Sequence, residues 1–238
     1  MIKKLLIVFA SGLVLAIVSL SSAWLIGGEA MLVRARDGGH FIFDRDDVRR
    51  GHHAGPRSTL PLAFDGGILT LDVPASVRFK RGPRAEMKVT GPADAVGALR
   101  WEGGRLSLKD GMSDLRDLRI TITGPQIAGL VLNAPGDVEL KGIDQPSLRL
   151  DVRSPANVEA SGRVTSLAID TSGIGAIDLE HLEARDAQAR LTGVGNIDIS
   201  ATGRVDADLS GAGTIALHRK PAMLNSRSSG LGVIDHDY

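Results

Sequence analysis

Five acidic residues recur at one position of a repeating pattern: Glu139, Glu159, Asp178, Asp198 and Asp235, with Ala216 interrupting the series. Each follows an apolar residue of the set Val138, Val158, Ile177, Ile197, Ile215 and Ile234, spaced by 20, 19, 20, 18 and 19 residues. Stacked at the ~4.8 Å spacing of neighbouring strands, such carboxylates repel by ~1 kcal/mol per pair in water and a few kcal/mol at an effective dielectric near ~20. Bound Ca²⁺ would relieve that repulsion, so Asp178, Asp198 and Asp235 are candidate metal ligands. The pattern differs from the calcium-binding nonapeptide repeat, because the acid arrives one residue late and the period is doubled. The plainer reading is a solvated acidic face that discourages aggregation. Paired carboxylates such as Asp178 and Asp198 also suit polysaccharide cleavage. Sugar-processing grooves usually add aromatic platforms, however, and no aromatic residue lies between Trp101 and Tyr238. The expectation is a protein without catalytic residues.

Other chemistries find less in the sequence. Cysteine is absent, which excludes disulfides, thiolate metal sites and thiol catalysis. His40, His52 and His53 lie near Asp37 and Asp44 in a polar stretch that gives no fourth metal ligand a defined place. Arg185 and Arg190 beside Asp186 form the one basic grouping next to acids in the repeats. Glycine pairs such as Gly173-Ile174-Gly175 lack the third glycine and the following helix that a dinucleotide phosphate requires. No nucleophile elbow, zinc-protease helix or phosphate loop occurs, and no cofactor is expected.

The elements that position these residues follow from the period. Four copies carry one turn: Ser172-Gly173-Ile174-Gly175, Thr192-Gly193-Val194-Gly195, Ser210-Gly211-Ala212-Gly213 and Ser229-Gly230-Leu231-Gly232. Ala134-Pro135-Gly136 and Ser154-Pro155-Ala156 are looser copies. Ile177-Asp178-Leu179 and Ile197-Asp198-Ile199 alternate with a period of two, as strands do. A second strand precedes each turn, with Leu148, Leu150, Val152, then Leu167, Ile169, then Ala187, Ala189, Leu191, then Val205, Ala207, Leu209. Glycine would weaken a helix by ~1 kcal/mol per residue, whereas in a turn it supplies positive φ and lets backbones approach. The fold class is therefore all-β, a stacked parallel solenoid with coils of about 19–20 residues. Asp72-Val73-Pro74-Ala75-Ser76-Val77 resembles the Ser154–Val158 turn, so the solenoid is expected to start near residue 62. The 61 residues from Val77 to Val138 approximate three periods, with β-structure of unassigned register that includes Gly103-Gly104 as a turn and Leu118–Thr123 as a strand.

These repeated turns, after a Val-Pro-Ala-Ser-Val opening strand, resemble the head GIN domain family of auto-transporter adhesins over residues 62–238. The resemblance implies an exported right-handed β-helix-like domain with no established activity. One departure stands out. Tyr238 follows directly on the last coil, so a translocator barrel of ~9–11-residue strands is not expected.

Lys3 and Lys4 precede an uncharged stretch from Leu5 to Gly28, one N-terminal apolar helix. It reads either as a signal peptide with small residues at Ser21-Ser22-Ala23 or as an uncleaved membrane anchor with Trp24 at the interface. The expected organisation is thus a signal or anchor over 1–23, a polar linker over 24–61 and the solenoid over 62–238. Either N-terminal reading places the body outside the cytoplasm: periplasmic, anchored at the inner membrane, or surface-exposed. The chain carries 28 basic and 28 acidic residues, and residues 130–238 hold 15 acids against 10 bases, a net of −5 that disfavours nucleic acid. The expected function is a non-enzymatic binding or structural module of the cell envelope whose partner is a protein or polysaccharide. A cation-binding module and a polysaccharide-active enzyme are the alternatives.

Overall fold

The computed structural model describes residues 56–109 and 118–238. Every described residue belongs to one compact unit, residues 54–238. The expected signal or anchor segment and the greater part of the expected linker lie outside the described residues.

From residue 129 onward the alternating pattern becomes a parallel β-solenoid. Its first strands are β8 (Gly129–Leu132), β9 (Gly136–Val152), β10 (Ala156–Thr171) and β11 (Ile174–Leu191). There follow β12 (Val194–Ala201), β13 (Arg204–Leu209), β14 (Ala212–Leu217), β15 (Met223–Ser228) and β16 (Leu231–His236). β9, β10 and β11 each run through both faces of a coil, bending where the register shifts, as at Gly162. Val138, Val158, Ile177, Ile197, Ile215 and Ile234 are partners on successive coils, in the register the spacing predicts. On the second face Leu148, Leu167, Ala187, Val205 and Leu224 form the matching column. Inward residues of the two faces make one continuous core, which is aliphatic from residue 129 onward and takes in Phe64 and Phe79 from the first half. No coil buries its own apolar face, so each is stabilised by its neighbours.

The first half departs from the expected sequential order. β2 (Ile68–Leu71) and β3 (Ala75–Arg81) lie parallel to β8 and β9, with Val77 directly beside Val138. The 60 residues between these valines are therefore not three coils in line. They pass to the other side, where β6 (Arg105–Leu108) and β7 (Arg119–Gly124) form a coil stacked on β2 and β3. The coil that comes first in sequence is thus sandwiched between later ones. Asp72 stitches the three layers, accepting hydrogen bonds from Arg105 and from Asn133 Nδ2, the latter at 2.7 Å.

Antiparallel elements cover that outer coil. β1 (Arg57–Leu62) pairs with β4 (Glu86–Pro92), and β4 pairs with β7. α1 (Ala93–Gly97) leads into β5 (Leu99–Glu102), which forms a hairpin with β6 through Gly103 and Gly104, both at positive φ. Among the described residues the first strand thus begins at Arg57, five residues ahead of the expected start of the solenoid. Such a cap removes an open sheet edge, which stacked repeats otherwise expose.

In the turns at Gly173–Gly175, Gly193–Gly195 and Gly211–Gly213 the glycine pair performs two separate tasks. The second member, as at Gly195 (φ +151°), adopts a backbone conformation that L side chains rarely accept. The first, Gly193, is not in that region, which corrects the expectation of positive φ for the whole pair. It is glycine because a Cβ there would lie 2.0 Å from the carbonyl oxygen of Gly173 on the coil below. Gly193→Val should accordingly lower stability by more than ~3 kcal/mol through steric displacement of that neighbour, as read from urea denaturation. Gly97→Ala, where a Cβ meets nothing within 4 Å, should change stability by no more than ~1 kcal/mol.

Candidate functional site

The acidic column lies where the period places it. Glu139, Glu159, Asp178 and Asp198 are partners on successive coils, Ala216 follows, and Asp235 comes after it. Arg78 occupies the same column on the coil before Glu139, with its Nε 3.3 Å from that carboxylate. Lys141 pairs with the other oxygen, and its hydrogen bond holds the Glu139 carboxyl below the usual glutamate range. Asp178 Oδ1 accepts the backbone N–H of Glu180 at 3.1 Å, and Asp235 Oδ1 accepts that of His236 at 2.8 Å. Asp198 meets an imidazole from the next coil, with His218 Nε2 2.9 Å from its Oδ1. The other ring nitrogen of His218 lies 3.5 Å from Asp237. The three candidate ligands therefore each have protein partners. Among the described residues no group of three or more His, Asp or Glu is arranged to hold a metal ion. His40, His52 and His53 lie outside the described residues.

The sequence reading missed a polar groove of about 520 Å³ at the bend between the two sheet faces. Arg163, Glu183 and Arg185 line it together with Ser200, Thr202 and Arg219, drawn from four consecutive coils. Glu183 binds Arg163 at 3.5 Å through one oxygen and Arg219 at 3.0 Å through the other. One carboxylate thus faces two guanidiniums, while Arg185 turns to Asp186 at 3.4 Å. The arginines remain largely exposed, so their remaining N–H donors are open to a ligand. Hydroxyls of Thr202 and Thr165 beside these cations make the groove suited to an acidic, hydroxyl-rich chain. The residues aligned here have no common identity from coil to coil, so no repeat signal marks them. Arg190, which the sequence groups with Arg185, instead points to Asp170 at 3.7 Å on the second face.

With fold and surfaces defined, the relationships become clear. The family described as "Putative auto-transporter adhesin, head GIN domain" matches residues 67–221, most of the chain. The chain belongs to this GIN domain family. A "putative adhesin" from Bacteroides fragilis shares the fold, with a TM-score of 0.61 and 19 % identity over 76 % of this chain and 97 % of that one. A "putative lipid binding protein" from Parabacteroides distasonis aligns with a TM-score of 0.47 and 18 % identity, over 76 % of this chain and 97 % of that one. No curated protein matches the sequence. Among the described residues of this GIN domain, no helix is long and apolar enough to cross a membrane.

The Asp198–His218 contact makes the GIN domain sensitive to pH. Its hydrogen bond to Asp198, reinforced by the charges of Asp198, Glu180 and Asp237, raises the His218 pKa above 6.5 despite partial burial. A raised folded value means that the stabilisation is complete below the unfolded pKa near 6.5 and is lost as pH rises through the folded value. The melting temperature should therefore fall by about 2–4 °C from mildly acidic to mildly alkaline solution, if the pair contributes ~1 kcal/mol. His218→Gln should flatten that part of the profile, measured by thermal melts across pH.

Proposed function

We propose that the protein is a non-enzymatic binding module of the cell envelope, exported behind its apolar N-terminal segment, and that its bent polar groove engages an acidic polysaccharide. The observation that carries this reading is the convergence of Arg163, Arg185 and Arg219 on a hydroxyl-lined groove that runs across coils. A groove that crosses coils stacked at ~4.8 Å lets one linear polymer reach donors on several of them. Membership of an adhesin-head family supports surface or envelope recognition. Lys3 and Lys4 before the apolar stretch support export.

Binding of the detergent-solubilised full chain to polygalacturonate or alginate tests the assignment. Replacing both Arg163 and Arg219 by Ala should weaken binding by at least ~10-fold, as expected for losing two charge-assisted contacts at ~1 kcal/mol or more each. Unchanged affinity would remove the groove from the reading. The cation-binding alternative is tested in parallel. A melting temperature unmoved by millimolar Ca²⁺ favours the polysaccharide reading, whereas a rise abolished by Asp178→Asn supports the acidic column.

A further inference from the structure

The turn edge of the solenoid carries a second surface, far less charged than the groove. The position just before the last small residue of each turn is apolar in seven successive coils, from that of β3 to that of β16: Pro74, Pro135, Pro155, Ile174, Val194, Ala212 and Leu231. These are outward-facing, with Ile174, Val194 and Leu231 exposed by 60, 53 and 87 %. Side chains are absent on both sides of the last four, where glycines leave a trough along each flank. The turn segments 172–177, 192–197, 210–215 and 229–234 contain no Asp, Glu, Lys, Arg or His, in a chain that is 24 % charged. A solvated face has no reason to exclude charge so completely.

The column has two dissimilar halves. Around its prolines the surface sinks into a shallow groove lined by Pro74, Leu118, Pro135, Pro155 and Ile174. Over the last coils it stands as an aliphatic ridge between glycine troughs. We infer that this edge is a self-association surface, on which a second copy of the chain packs with its solenoid axis reversed.

Three features select a second copy as the occupant. A two-fold axis through Ile174, the middle of the column, sets the ridge of each copy in the groove of the other. Leu231 then faces Pro74, Ala212 faces Pro135, Val194 faces Pro155, and Ile174 faces itself, as an isologous contact demands. Both ladders share one repeat of ~4.8 Å, so all these contacts form together, which a partner of different period does not achieve. Asp72, Asp137 and Arg153, charges that flank the proline half, meet turn segments without charge, so no like charges are juxtaposed there.

The strip is ~29 Å long and ~20 Å wide by strand geometry, giving roughly 600 Å² per copy and about 1,200 Å² in total. That is the lower limit for a stable specific interface, so the dimer should be weak, with Kd on the order of 10–100 µM.

Sedimentation of the full chain in a mild detergent tests the inference, together with disulfide trapping in a protein that has no native cysteine. The wild type should shift from monomer to dimer over that concentration range. Ile174→Arg, at an exposed position, should remain monomeric with an unchanged melting temperature, because it places two cations together on the axis. Ile174→Cys should form a disulfide-linked dimer on mild oxidation at least ~10-fold faster than Gln188→Cys on the outward second face, reflecting its higher effective concentration. Monomer throughout for the wild type, a dimer that persists in Ile174→Arg, or equal trapping at the two cysteines overturns the proposal.

Discussion

Close approach of backbone to backbone at the glycine turns is the constraint on which the rest of this molecule depends. At Gly195 even a methyl group would fall 1.8 Å from the carbonyl oxygen of Gly175. Since the turns lie that close, the strands on either side are held at hydrogen-bonding distance, and their residues fall into columns. Everything functional is then arranged by column: the aliphatic core, the acids with their bridging imidazole, and the bare apolar edge. Ladder hydrogen bonds act along the whole stack, and the turn fixes the register at which they form.

Charge is distributed by the same rule, with different compensation at each end. Arg78 and Lys141 neutralise Glu139, whereas Asp198 relies on His218, whose charge depends on pH. The acidic column is therefore better read as a row of local pairs than as a continuous anionic rail. In the bent groove one acid, Glu183, lies between two arginines, and the imbalance leaves donors available. These two regions have similar composition and different chemistry because partners, not residue types, set what each group can do.

The sequence made the later coils legible because each of their columns repeats one residue type. The register from Val138 to Ile234 and the shrinking second-face series through Ala187 and Ala207 could be read directly. The segment after Val77 could not, since reading repeats in line assumes that neighbours in sequence are neighbours in space, and here Val77 lies beside Val138. Glycine roles within a turn were also only half legible: composition indicates a tight corner but not which member bears positive φ. The groove escaped notice for the opposite reason to the core. Its aligned positions hold arginine, glutamate and serine, a varied set in which function leaves no period.

The sandwiched position of β2 and β3 has a kinetic consequence. A chain made or delivered N-terminus first presents these strands early, yet one edge of β3 must wait for residues 119–124 and the other for residues 136–141. The early coil has no completed neighbour to template on, so assembly cannot simply grow from the first coil onward. Later coils, each adjacent in sequence to the next, have low contact order and form the quicker nucleus. Residues 68–81 are then annealed onto a ready surface, and the antiparallel cap closes last. On this topology vectorial appearance and order of folding are expected to run in opposite directions, which would leave the N-terminal strands the longest exposed to mispairing.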